Sequence, residues 1–284
     1  MSFDPHALKL YVDGNCWKNP GGSGGFAIRV EYPLDWNRAD ELVEWRGYFK
    51  TKNNRMELRA CICAHEWSLE NLDQLGVQRV QVVTDSQYVY DGYTWVIGWA
   101  QNDYCNRDGR PNKNIGLWKE LIRLRRQLAR RVRIEVRLIP RRSSEIARDV
   151  DRDAKAAGKL PANVDWGFNE GKIGRPKHQM KGRAKLFPAA GQTLFMRPYK
   201  SDVARRNIQL FRFEVWDGDK RDFCEKYEAY ASDDIGNELH RQNVHQVRMN
   251  DKPGYPQILE ILGSFKESEF LAQLVAVGSE GKEL

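Results

Sequence analysis

The sequence predicts a mixed α/β domain over residues 1–157, a basic connecting segment over 158–190 and a small α+β module over 191–284. Three observations carry this. β-rich runs broken by turns come first and then give way to alternating helical and strand patterns. Gly, Pro, Lys and Arg crowd the segment after position 158. Regular apolar patterning resumes from Gln192.

The early elements follow in order. Leu8–Val12, Phe26–Val30 and Leu42–Phe49 are β-rich runs, and Asn19-Pro20-Gly21-Gly22 is strong turn punctuation between the first two. Glu57–Leu69 places Leu58, Cys61, Ile62, Trp67 and Leu69 as a buried helix would. Val80–Val83 is a short, mostly apolar run leading to Asp85, as expected of a central strand that delivers an acid to its C-terminal end. Leu117, Leu121, Leu124 and Leu128 repeat at helical spacing, with Arg123, Arg126 and Arg130 on other faces. Val132–Ile139 alternates apolar with charged residues, a half-buried strand. Asp149 and Asp153 are one helical turn apart and share a face, whereas Asp151 points elsewhere. Hairpins first, then helices and strands, argue for a mixed sheet.

Residues 158–188 are poor in apolar side chains, with Gly167, Gly171, Gly174, Pro176 and Gly182 leaving little room for regular elements. This segment reads as a linker, or an arm that orders on nucleic acid, with His178 solvated. Beyond it, Leu194–Tyr199, Ile208–Val215 and Val244–Met249 read as strands. Phe223–Ala231, Ile235–Leu239 and Ile258–Phe265 fit helix or strand. Phe195, Phe211, Phe213, Trp216, Tyr227 and Tyr230 are expected to form the module's core. It resembles no family, and a protein partner is expected to bind through it.

Composition narrows the class. A 284-residue chain with 41% hydrophobic residues can bury a core, as one large domain or two smaller ones. No apolar run approaches the ~18 residues of a membrane span, and the start MSFDPHALKL lacks a secretory pattern. Five cysteines make no paired framework, so free thiols in a reducing, cytoplasmic setting are expected. Cys61 and Cys63 read as core. Charge is uneven: residues 1–118 carry net −2, residues 119–185 net +12 and residues 186–284 net −3. The basic stretch adjoins a predicted acidic site, which favours a polyphosphate ligand over a merely solvated face.

Asp13, Glu57, Asp85 and Asp153 each sit in a short, distinctive local sequence. Taken singly they have plain readings: a turn at Asp13-Gly14, solvated helix faces at Glu57 and Asp153, a helix cap at Asp85. Together they point to hard divalent cations, because gathered carboxylates repel unless positive charge sits between them.

The first domain resembles ribonuclease HI over about residues 7–157. The resemblance rests on DGNCWKNPGG (13–22), TKNNRMEL (51–58), TDSQYV (84–89), WVIGW (95–99), KNIGLW (113–118) and the late D-x-x-x-D-x-x-A (149–156), in the family order. It implies a five-stranded mixed sheet flanked by helices and cleavage of the RNA strand of an RNA–DNA hybrid, leaving 5′-phosphate and 3′-hydroxyl ends. It implies two Mg²⁺ ions, with Mn²⁺ able to substitute, on Asp13, Glu57, Asp85 and Asp153, and Asp149 as the alternative fourth ligand. Asn19, Asn53, Asn54 and Gln87 match positions that touch nucleic acid, Lys50 and Lys52 a grip on a DNA-strand phosphate, and Trp95, Trp99 and Tyr104 the aromatic part of a substrate-binding protrusion. Trp95 and Trp99 equally fit a helix core.

Two departures stand out. Many relatives carry a loop His ten residues before the last Asp, and some manage with another residue there. Counted from Asp153 that position is Ser143, leaving the role vacant or to Arg141, Arg142 or Glu145. The protrusion 100–111 has only two Arg. Two alternatives stay open: a hybrid-binding subunit with weak or no cleavage, and a related nuclease for double-stranded RNA.

Overall fold

The computed structural model describes residues 3–102, 104–105, 112–168, 187–218 and 220–280. The expectations for His178, for Gly171, Gly174, Pro176 and Gly182, and for most of the protrusion lie outside them. The chain divides into two units. One holds residues up to Gly47 and Thr51–Pro161, and the other holds Tyr48–Lys50 and the residues from Ala162 onward.

The first unit is built on a sheet of β1 (Leu8–Cys16), β2 (Gly24–Glu31), β3 (Glu41–Tyr48), β4 (Arg79–Thr84) and β5 (Arg133–Leu138), in the order β3-β2-β1-β4-β5. β1 pairs with β2 antiparallel and with β4 parallel, and β4 pairs with β5 parallel. The sheet is therefore mixed, with its hairpin strands to one side and its crossover strands to the other. β1 is central, and Leu8 to Val12 are all buried, as a strand covered on both faces requires.

Helix α1 (Asn53–Leu75) packs on β1 and β2, and α4 (Glu145–Lys159) also packs on β1 and β2. α2 (Gln87–Gln101) and α3 (Ile115–Leu128) complete the helical set. α1 ends at Gly76, whose φ of +63° closes the helix in the left-handed region that glycine enters without strain. Ser144 caps α4, its hydroxyl accepting from Ala147 N at 3.2 Å. Under α4 lies a cluster of Tyr11, Ala27, Val83, Ala147, Val150 and Ala154. Cys61 and Cys63 are buried in α1, as core residues.

The second unit is an antiparallel sheet of β6 (Thr193–Arg205), β7 (Ile208–Asp217), β8 (Asp222–Ser232), β9 (Asn243–Met249) and β10 (Ile258–Lys266), in the order β10-β9-β6-β7-β8. The short helix α5 (Asp233–Glu238) and α6 (Glu267–Glu280) accompany it. Of the segments open to either reading, 223–231 and 258–265 are strand and 235–239 is largely helix. Phe211, Phe213, Tyr227 and Met196 belong to one core cluster, and Phe195, Trp216, Phe223 and Phe270 to another. Tyr230 instead stacks on Tyr255 with ring centroids 4.6 Å apart.

The expected linker is not all linker. Val164, Phe187, Ala189 and Ala190 are buried in the second unit's main cluster, and Phe168 is buried too. Sparse apolar residues in a Gly- and Pro-rich context hid this contribution, because no periodicity connects them. Among the described residues no helix is long and apolar enough to cross a membrane.

Candidate active site

The parallel register of β1 and β4 sets Leu10 beside Val82 and Tyr11 beside Val83. Asp13 and Asp85 continue that offset, so both carboxylates leave the sheet at the same end. α1 begins against this end. Gly14 makes the approach possible: a Cβ there would come within 2.3 Å of the Glu57 backbone nitrogen. Glu57 is thereby brought to the strand ends, and Asp13, Glu57 and Asp85 each offer an oxygen within 4.8 Å of the others.

The electrostatics are those of crowded, partly dehydrated acids. Burial, followed by the charges of Asp85 and Asp151, pushes Asp13 up to about 7. Burial and then the charges of Asp13 and Asp85 hold Glu57 well above the usual carboxylate range. Burial raises Asp85 as well, with Arg141 opposing and Asp151 adding to the rise. Asp13 Oδ1 accepts from Gly14 N at 2.9 Å, and Glu57 Oε1 from Asn53 Nδ2 at 3.4 Å. Glu57 Oε2 is buried with no hydrogen-bond partner.

α4 contributes differently from expectation. Asp153 is turned toward β2, its Oδ2 taking the Nε of Arg29 at 2.5 Å. Asp149 pairs with Arg152 at 2.9 Å. Neither acid is among the leading charges that shift Asp13 or Asp85, whereas Asp151 is among them for both. Asp151 is buried and held by Arg142 and Lys155, each with a 2.7 Å approach, and by Arg141 at 3.4 Å. Burial pulls its carboxyl upward, but the hydrogen bonds from Lys155 and Arg142 outweigh this and keep it below the ordinary value. Arg141 also lies 3.8 Å from Asp85 Oδ2. Counted back ten residues from Asp151, the loop position is Arg141, not Ser143.

The sequence reading missed Asp151 because it matched the Asp-x-x-x-Asp spacing and assigned the acids by shared face. The available signal was Asp151-x-x-x-Lys155: an acid at i with a basic residue at i+4, followed by a small-residue face of Ala154, Ala157 and Gly158 against the sheet.

The expected nucleic-acid contacts divide. Asn19 Oδ1 accepts from Asn53 N at 3.0 Å, so Asn19, Asn53 and Glu57 form a chain of hydrogen bonds from the turn to the acids. Gly21 N and Gly22 O clip the same turn to Thr51 at 2.8 and 3.0 Å. Asn54 and Gln87 are exposed in the first turns of α1 and α2, and Gln87 Nε2 donates to Asp91 at 2.7 Å. Lys52 sits at the start of α1. Lys50 instead belongs to the second unit, where its ammonium donates to Gly191 O at 3.1 Å and lies 5.4 Å from the Phe168 ring centroid. Trp95 is 55% exposed. Trp99 meets Trp118 edge-on at 5.4 Å, a helix-packing contact. Tyr104 has Lys119 over its ring at 5.2 Å.

With this geometry in view, the first unit can be set beside known proteins. Residues 5–157 match the ribonuclease H family model. The ribonuclease H of Actinobacillus pleuropneumoniae is 35% identical over 164 residues, 57% of this chain and 97% of the relative. Ribonuclease HI of Pasteurella multocida is 33% identical over 163 residues, again 57% of this chain and 96% of the relative. A solved structure described as LC9-RNase H1, a type 1 RNase H with the type 2 active-site motif, is 26% identical with a TM-score of 0.44, covering 57% of this chain and 76% of that one. A mixed five-stranded sheet that gathers acids at its strand ends is the architecture of an endoribonuclease of this type. The chain belongs to the ribonuclease H family.

Proposed function

We propose that the first unit hydrolyses the RNA strand of RNA–DNA hybrids using divalent cations held by Asp13, Glu57, Asp85 and Asp151, with Asp151 in place of the expected Asp153. The observation that carries this reading is the convergence of Asp13, Glu57 and Asp85 within 4.8 Å, one of them with an unpartnered buried oxygen. Raised carboxyl pKa values mean that the cluster resists full ionisation until positive charge arrives. An all-oxygen donor set of this kind fits a hard cation, Mg²⁺ first and Mn²⁺ as a substitute. Cations held there would activate water and neutralise the leaving 3′ oxygen, giving 5′-phosphate and 3′-hydroxyl products.

The chain's own groups supply the rest. Asn53, fixed by Asn19 and bonded to Glu57, ties the position of the turn to that of the acids. The amides of Asn19, Asn53, Asn54 and Gln87 can donate to backbone oxygens and accept from a 2′-hydroxyl, the group that tells RNA from DNA. Arg141, 66% exposed and beside Asp85 and Asp151, is placed to meet a phosphate as it arrives.

A labelled hybrid, double-stranded RNA and double-stranded DNA, each with Mg²⁺, Mn²⁺ or EDTA, test the reading. Metal-dependent cutting of the hybrid's RNA strand alone is expected. Cutting in EDTA, or equal cutting of double-stranded RNA, would overturn it.

A further inference from the structure

A second polar site lies on the face of the first unit's sheet that α4 covers, but nearer the N-terminal ends of β4 and β5. β4 and β5 pair in parallel, with Arg79 opposite Arg133 and Gln81 opposite Glu135. Alternation puts Arg79, Gln81, Arg133, Glu135 and Arg137 on one face. They line a cavity of about 150 Å³ together with Asp4. That is several times the roughly 30 Å³ that one water occupies in the liquid. Gln81 lies four residues before Asp85, about 13 Å along the strand, so this cavity is separate from the acidic site.

Two of the lining residues each carry a buried side-chain atom without a hydrogen-bond partner. Gln81 is 1% exposed, and its Oε1 is buried without a hydrogen-bond partner. The amide orientation is fixed, because Nε2 donates to Glu135 Oε1 at 2.6 Å and the reverse orientation would set oxygen against carboxylate. The Nε of Arg137 is also buried and unpartnered, while its Nη2 reaches Glu135 at 3.0 Å. Arg79 is taken by Asp4 at 2.7 Å. Arg133 makes no side-chain ion pair or hydrogen bond among the described residues. Three cations thus face two anions, and the excess charge belongs to Arg133.

An occupant that carries one negative charge, accepts from Arg137 and Arg133, and donates to Gln81 would complement all three groups. Water satisfies the hydrogen bonds but not the charge. A phosphodiester satisfies the charge but has no donor. We propose that this cavity is a binding site for a singly protonated phosphate monoester, whose P–OH donates to Gln81 Oε1 and whose oxyanion meets Arg133 and Arg137. The monoester can belong to a free nucleotide or to the phosphorylated end of a nucleic acid.

The test uses the full chain in EDTA, with inorganic phosphate as the probe, followed by phosphorus NMR line broadening. Saturable one-site binding is expected. Arg133→Ala should weaken it about tenfold or more, as expected for loss of a charged hydrogen bond. The side chain is exposed and unpaired, so the fold and hybrid cleavage should be unchanged. Sulfate lacks a proton at neutral pH and should bind at least about tenfold less tightly, because a buried acceptor rejects a ligand that cannot donate to it. A nucleoside 5′-monophosphate and a 5′-phosphorylated DNA oligonucleotide should each displace the probe, and whichever does so at lower concentration identifies the source. The same oligonucleotide with a 5′-hydroxyl should not displace it. Absence of saturable binding, equal binding of sulfate, or binding unchanged in Arg133→Ala would each overturn the proposal. Because divalent cations are excluded and cleavage is scored separately, these outcomes are independent of the acidic site.

Discussion

Arg29 holds Asp153 at 2.5 Å, on the β2 side of α4, although Asp153 is only two residues from Asp151. The two carboxylates point to different tasks. One closes an ion pair with a strand that also engages Asp40 at 3.2 Å. The other joins the field of Asp13 and Asp85.

Mutants of α4 separate these tasks. Asp151→Asn should abolish most hybrid cleavage, since it removes a charge that acts on both Asp13 and Asp85. Asp153→Asn should leave turnover within a few-fold but lower stability by about 1.5–3 kcal/mol, the range for a hydrogen bond to a charged group. Asp149→Asn, at a pair whose Arg152 is exposed, should do little to either. Steady-state cleavage and urea unfolding of the three variants would check this. A dead Asp153→Asn beside an active Asp151→Asn would reverse the assignment.

Asp13 predicts how metal-free stability depends on pH. Its carboxyl titrates near 7 when folded, well above the 3.8 of an ordinary aspartate. Between those values the native state holds a proton that the unfolded chain has lost. Stability conferred by that proton is therefore greatest at low pH and is lost as pH rises toward 7. Buried Glu57 shifts in the same direction and adds to the loss. In EDTA the melting temperature should fall from about pH 5 to about pH 7 by an amount that Asp13→Asn removes in part. Thermal melts of both proteins across that range would show it, and parallel curves would contradict it.

The fold of the first unit was legible because each signal was local. Val80–Val83 before Asp85, the leucine repeat of α3 and the turn at Asn19-Pro20-Gly21-Gly22 each announce their element without knowledge of the rest. Three of the four proposed acids were legible for the same reason: Asp13 lies in the second half of a strand, Asp85 directly follows one and Glu57 lies near the start of a helix. Asp151 was not, because the choice among three acids on one helix depends on how α4 rolls against β1 and β2. That roll is set by Ala147, Val150 and Ala154 packing on Tyr11 and Ala27, contacts distant in sequence. Lys50 failed similarly: its neighbours Gly191 and Phe168 lie more than a hundred residues away. Val164 and Phe187 are isolated in sequence and become core only when the second sheet assembles.

Metal should stabilise the native state by an amount that grows with the logarithm of its concentration above the dissociation constant. At a concentration one hundred times the dissociation constant, binding to the folded form alone adds about 2.7 kcal/mol. Mg²⁺ or Mn²⁺ should therefore raise the melting temperature by several degrees at pH 8, where the acids are most available. Glu57→Gln should suppress this shift, because it removes the charge whose Oε2 has no other partner. Calorimetric scans with and without metal would measure it. A full metal-induced shift in Glu57→Gln would place the cations elsewhere.

Arg141 makes the opposite prediction from a residue that merely grips substrate. It lies 3.8 Å from Asp85 and 3.4 Å from Asp151, and its charge lowers the carboxyl pKa values of Asp13, Glu57 and Asp85. It therefore supplies part of the positive charge that the acids need before a cation arrives, and it competes with that cation. Arg141→Ala should lower the metal-free melting temperature slightly. The same change should tighten Mg²⁺ binding by about two- to fivefold, the scale of one largely exposed charge. If Arg141 also meets the arriving phosphate, turnover should fall even as the metal requirement eases. Titrating Mg²⁺ by calorimetry and by cleavage rate in the same buffer separates the two effects. Weaker Mg²⁺ binding in Arg141→Ala would show that the guanidinium orders the acids for metal rather than standing in for it.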